Sequence, residues 1–196
     1  FDENKFGFRE KYWYFNANLW RSFLVQDFLS CYKFAHKWVT LFYDNPNMIY
    51  LNPVFFLKGN HYLLESLFML KYKSNFKKYL VLLEETINDP RFPVNDNIAS
   101  LSFLYLYNNK LNYHILEGTF AESEYLIPEV LNKLKIHNEH LDEHHEMMFF
   151  YKIACIYFGN EKYEETIFYL EKIINNKNLS MREDLMCFAR ILCLIA

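Results

Sequence analysis

Phe150-Tyr-Lys-Ile-Ala-Cys-Ile-Tyr-Phe-Gly-Asn-Glu-Lys-Tyr-Glu-Glu-Thr-Ile-Phe-Tyr-Leu170 decides the fold class of this chain. Phe150, Ile153, Ala154 and Tyr157 recur at helical spacing, Gly159-Asn160 interrupts the run, and Thr166 and Leu170 resume it on a second helix. The stretch predicts a helical hairpin. Two helices cannot bury such apolar faces between themselves alone, so the pattern calls for stacking against further hairpins, and stacks make binding surfaces.

Outward from this copy, three earlier stretches read the same way. Hairpin one covers about residues 8–43, with Tyr14, Phe15, Leu19 and Phe23 on its buried face and a turn near Gln26-Asp27. Asp44-Asn-Pro46-Asn ends it, because Pro and Asn favour turns over helix continuation. Hairpin two covers about 53–89, opening at Pro53, reaching about Tyr72 and turning at Lys73-Ser-Asn75. Hairpin three covers about 97–136 and turns at Glu117-Gly118-Thr119; Pro128 should kink or split its second helix. Hairpin four covers about 141–175. A last helix, 180–196, starts from Ser180 as a plausible N-cap. An aromatic opens each second helix at Phe28, Phe76, Phe120 and Tyr163. Phe76–Asn88 aligns with Tyr163–Asn175 through shared Leu-Glu and Ile-Asn pairs.

Composition agrees. The 196 residues are 52% hydrophobic and 20% aromatic, and only four Gly and five Pro punctuate them, which favours long helices over a sheet-rich fold. A net charge of −3 gives no electrostatic case for nucleic acid or an anionic membrane. No apolar run reaches the roughly 18 residues of a membrane span. Cys31, Cys155, Cys187 and Cys193 form no CxxC pair and lie in apolar helical patterns, so buried, reduced thiols and a cytoplasmic location are expected. The pattern stops in mid-run at Ile191-Leu-Cys-Leu-Ile-Ala196, and the chain is expected to be part of a longer protein.

These residues resemble the tetratricopeptide-repeat family. The match is good over Phe150–Asn175 and fair over His61–Asn88, where Leu63, Leu67, Leu70, Tyr79 and Leu83 fill pattern positions. It rests mainly on Gly118-Thr-Phe120 in hairpin three, and on Phe28 and the spacing to Pro46 in hairpin one. The intervals between second-helix aromatics exceed the family's about 34 residues. Longer helices and loops account for that, and so would a HEAT-like repeat. The resemblance implies an all-α, right-handed α-solenoid of about four hairpins plus a final helix, 1–196 forming one segment.

It also implies a concave groove that holds a peptide or partner helix. Carried onto this sequence, the groove positions are Trp13, Asn16, Ala17 and Trp20; His61, Leu64, Glu65 and Phe68; Tyr105, Asn108, Asn109 and Asn112; and Met148, Tyr151, Lys152 and Cys155. Asn side chains both donate to and accept from a peptide backbone. Trp13, Trp20, Tyr105 and Tyr151 are the candidate aromatic anchors, with core packing as their other reading. Only Lys152 and the Asn residues fit a carboxylate clamp, and Glu65 opposes an acidic ligand.

One polar cluster competes. His137, His140 and His144 would share a face of a continuous helix and could hold a divalent metal with Asp142 or Glu143; HExxH is absent, and a solvated loop is the other reading. No nucleophile elbow, phosphate-binding glycine loop or dinucleotide fingerprint occurs. Asn178-Leu-Ser180 matches a glycosylation sequon, but Ser180 is better explained as a cap. The sequence thus points to a protein-interaction scaffold for a protein or peptide partner, without catalysis, cofactor, metal, nucleic acid or membrane. A metal-dependent helical enzyme built on the three histidines, or a spacer or dimerisation segment, are the alternatives.

Overall fold

The computed structural model describes residues 5–176 and 183–196, and the last-helix N-cap and sequon expected at Ser180 lie outside them. Each helix begins and ends where local chemistry allows. α1 (Phe8–Leu24) opens with the Glu10 carboxylate accepting the Gly7 N–H over 2.7 Å, and α2 (Phe28–Tyr43) with Asp27 accepting the Ser30 N–H over 3.0 Å. A one-turn helix, α3 (Asn47–Leu51), follows the turn at Asp44–Pro46 and was not foreseen; α4 (Pro53–Met69) then starts on Pro53, whose missing N–H costs nothing at a first turn.

α5 (Lys73–Ile87) corrects the sequence reading. Helix starts at Lys73, so Lys73–Asn75 form its first turn and the hairpin turn lies at Leu70–Tyr72 instead. α6 (Asp96–Glu117) is followed by a divided second helix, α7 (Phe120–Ser123) and α8 (Leu126–His137). Pro128 splits it as expected, but the break falls at Glu124-Tyr125. The proline ring excludes the carbonyl four residues earlier, so the chain opens there and restarts with Pro128 in its first turn. After a 3-10 turn (Asn138–His140) come α9 (Glu143–Gly159), α10 (Tyr163–Ile174) and α11 (Glu183–Ile195). Among the described residues there is no strand, and no helix is long and apolar enough to cross a membrane.

The hairpin turns share one construction. Gln26, Lys71, Gly118 and Glu161 all have positive φ, between 56° and 76°. At three of them the next residue's N–H closes the helix end on a carbonyl five residues back: Asp27 to Ser22, Tyr72 to Leu67 and Lys162 to Tyr157. Thr119 closes on His114 in the same way. These are Schellman-type ends, with a non-glycine residue in the left-handed position in three of the four turns. Counted from these turns, Cys31, Phe76, Ser123 and Thr166 occupy one register and all are fully buried. Phe76 is therefore not the counterpart of Phe28, Phe120 and Tyr163; Lys73 is. The misalignment arises because α5 has 15 residues and α10 has 12, while their ends, at Asn88 and Asn175, do correspond.

The chain divides into a unit ending at Asn109 and a unit beginning at Lys110, with α6 crossing the boundary. In the first, α1 packs on α2, α2 on α4 and α4 on α5 around Leu19, Trp38, Phe42, Phe56, Leu63 and Leu67. Each such side chain contributes about 1.5–3 kcal/mol by leaving water. Gly59 lets α2 and α4 meet closely, since a Cβ there would stand 2.8 Å from the Trp38 indole nitrogen. In the second unit α9 packs on α10 and α7, and α10 on α11, around Phe149, Ile153, Ala154, Leu170 and Ile173. Buried Ser66, Asn60 and Thr166 bond the carbonyl one turn back, which lets polar residues sit inside the packing.

The four cysteines are free, but they are not uniformly buried: Cys31 is enclosed, whereas Cys187 on α11 is exposed. Cys187 lies outside the stripe of α11 that carries buried Leu185 and Ala189.

Candidate functional site

On α1, Tyr12, Phe15, Leu19 and Ser22 face the core, which leaves Trp13, Ala17, Trp20 and Leu24 on a second stripe facing outward. Trp13 and Trp20 are 51% and 50% exposed. Neither is loose on the surface. The Trp13 ring approaches Tyr12 and Phe55, with centroids 4.8 and 6.2 Å away, and Trp20 approaches Tyr62 at 5.6 Å. From Tyr62 the aromatic contacts continue to His61 at 5.5 Å, and His61 stacks on Tyr105 with centroids 4.5 Å apart and planes at 13°. One aromatic path thus runs from α1 across α4 to the first half of α6. Beside it, Asn108 donates to Glu65 over 3.3 Å. Burial, with the Tyr62 phenol adding to it, pushes the Tyr105 hydroxyl up to about 12.

The asparagines are placed differently from the groove expected of them. Asn108, Asn109 and Asn112 are buried, and Asn109 donates to the Tyr105 carbonyl over 2.7 Å. Asn112 accepts the Lys152 ammonium over 2.6 Å, and Lys152 is itself buried. Their amides are thus spent within the packing: Asn108 on Glu65 of α4, Asn109 on its own helix and Asn112 on α9. Asn16 is half-buried, its amide set against the Tyr12 hydroxyl. A helical period shows that a polar residue is near a face; it does not show whether a neighbouring helix already claims it.

Of the remaining positions, Ala17 is exposed, Leu64 is buried, and Glu65, Phe68 and Met148 are half-buried. In the second unit, Tyr151 donates toward the Cys155 sulfur, and burial pushes the phenol up to about 12 and the thiol to about 11. A thiol so protonated at neutral pH is a poor nucleophile. That unit also holds a cleft of about 620 Å³ between α8, α9 and α10, which no sequence signal indicated. Lys172 lies in it between Phe150 and Phe168, 5.3 and 4.7 Å from their ring centroids.

The histidines do not share a continuous helix. α8 ends at His137, His140 lies in the 3-10 turn, Leu141 is extended, and His144 belongs to α9. Asp142 is occupied as the N-cap of α9, accepting the His145 N–H over 2.9 Å and facing its ring. Among the described residues no group of three or more His, Cys, Asp and Glu side chains could hold a metal ion.

No family model matches the chain, and neither a curated protein nor a solved structure does. The residues and their geometry therefore carry the functional reading.

Proposed function

We propose that this chain is a protein-interaction scaffold of tetratricopeptide-like hairpins that captures a partner peptide or helix on the face formed by α1, α4 and the first half of α6. One observation carries the reading: Trp13 and Trp20 stand half exposed on the outer stripe of a helix whose other stripe is fully packed. A fold gains little from leaving two indoles in water, whereas Trp dominates the energetics of interfaces. Tyr62, His61 and Tyr105 pack the adjoining surface ring on ring, and half-buried Glu65, held by Asn108, supplies a polar rim. Asn109, bonded to the Tyr105 carbonyl, supports this surface from within; Asn112 and Lys152 bond each other in the second unit and are not its contacts. The cytoplasmic, non-catalytic role suggested by the composition fits this reading.

A capture experiment tests it. Wild-type protein and the Trp13→Ala/Trp20→Ala variant, matched by helical circular dichroism, are used to retain partners from native lysate. The segment of the retained protein that binds is then titrated as a peptide. Loss of two anchors worth at least about 1 kcal/mol each should weaken that peptide more than about tenfold. Equal affinity of the two proteins would move the interface away from α1.

A further inference from the structure

Trp13, Ala17, Trp20 and Leu24 follow one another at intervals of four, three and four residues, the spacing of a heptad seam between two helices. The seam runs for about 16 Å along α1, and all four residues are exposed. The same intervals occur on α11 at Asp184, Phe188, Ile191 and Ile195, which are also exposed. Leu185 and Ala189, on another side of α11, are the buried ones. Phe188, Ile191 and Ile195 are apolar and Asp184 heads them, so one chain carries two seams of matching period, one in each unit.

We propose that α11 of one copy docks antiparallel on α1 of a second copy, joining chains head to tail. The inference rests on the reading of the α1 face as a binding surface and names its occupant. Antiparallel alignment of the seams sets Asp184 beside Leu24, Phe188 beside Trp20, Ile191 beside Ala17 and Ile195 beside Trp13. Ile191 then enters the gap that the small Ala17 leaves between two indoles, a knob in a hole. The exposed Arg21 comes level with Cys187, about one turn from the acidic Glu183 and Asp184 that open α11, so the charges at that end are opposite. A parallel alignment moves this turn away from Arg21 to the end of the seam that carries Glu10, and sets the helix dipoles side by side in the same sense. Pairing α1 with α1, or α11 with α11, covers one seam and leaves the other in water. Head-to-tail pairing covers both, either reciprocally between two copies or by adding further copies.

Sedimentation equilibrium over a range of concentrations tests this with Trp20→Glu and Ile191→Glu. Wild-type mass should rise above 24.0 kDa with concentration. Each variant alone should remain at one chain mass at concentrations at least tenfold higher, because each has lost one seam. Mixed in equal amounts they should form a dimer and nothing larger, since each supplies the seam that the other lacks. Leu29→Glu, an exposed position on α2, should behave as wild type. Wild type that stays at one chain mass overturns the proposal. So does Ile191→Glu dimerising alone, which means α1 self-pairing, or Trp20→Glu dimerising alone, which means α11 self-pairing. A lost association in Leu29→Glu places the interface elsewhere and overturns it as well. If wild type stays at one chain mass yet its captured peptide still depends on Trp13 and Trp20, the α1 surface stands and the self-association alone is lost.

Discussion

The Lys152 ammonium donates to the Asn112 side-chain oxygen over 2.6 Å, and both residues are buried. The bond ties α9 to the second half of α6 inside the second unit. A buried ammonium is costly unless acceptors surround it, so removing one acceptor should cost more than an ordinary surface truncation. Asn112→Ala should destabilise the protein by about 1–3 kcal/mol. Asn108→Ala, which loses the 3.3 Å bond to half-buried Glu65, an uncharged-donor bond at a less enclosed site, should cost less. Urea denaturation of the two variants decides the matter; equal midpoints would show that the Lys152–Asn112 bond adds nothing.

This pair also marks how far the sequence could be read. Helices, most of their bounds and three of the four hairpin turns follow from apolar period, Pro, Gly and caps, because those signals act within a few residues. Phe76 misled because it is an aromatic like those that open the other second helices, and only the positive φ of Lys71 fixes the register. Asn108, Asn109 and Asn112 misled for a different reason. Their bonds run to Glu65, the Tyr105 carbonyl and Lys152, and two of these partners are about 40 residues away in sequence. The exposed face of Trp13 and Trp20 was legible, since a helix whose other stripe is Phe15 and Leu19 has to turn them outward.

Gly159 ends α9 directly against the Phe120 ring. A Cβ there would lie 2.4 Å from ring carbons, two of them near the root of the side chain, so α7 or α9 has to shift. Gly159→Ala should therefore lower stability by about 1–3 kcal/mol, the usual cost of overpacking. Gly118 has nothing within 4 Å of such a Cβ but holds φ at +76°. Gly118→Ala should cost about 1–2 kcal/mol through backbone strain alone. Adding Phe120→Leu separates the two mechanisms. It should recover part of the Gly159→Ala loss in thermal melts and none of the Gly118→Ala loss.

Alkaline pH should unfold the protein in a defined window. Burial raises the Tyr105 and Tyr151 hydroxyls to about 12, against 10.0 for an exposed phenol. It raises the Cys31 and Cys155 thiols to about 11, against 9.0. Between the two values the unfolded chain has released protons that the folded chain still holds, so stability falls as pH rises. The contribution is complete below pH 9 and is lost by pH 12. Denaturation midpoints at fixed salt should be flat from pH 7 to 9 and drop steeply above it. Tyr105→Phe should flatten the upper part of that drop; an unchanged profile would remove Tyr105 as a cause.

The three tryptophans divide by environment, and this gives a direct optical test of the binding face. Trp38 is buried on α2 against Gly59, whereas Trp13 and Trp20 are half exposed on α1. Acrylamide should quench two emitters readily and leave one protected. Trp38→Phe should remove the protected emission and lose stability, because a fully enclosed side chain is being shortened. Trp13→Ala and Trp20→Ala should each remove quenchable emission, with losses smaller than the about 3–5 kcal/mol of a buried Trp truncation. If a partner covers α1, the accessible fraction should become protected as it binds, and the emission should move to shorter wavelength. Binding without any change in quenching would place the partner elsewhere, whatever the affinity measured.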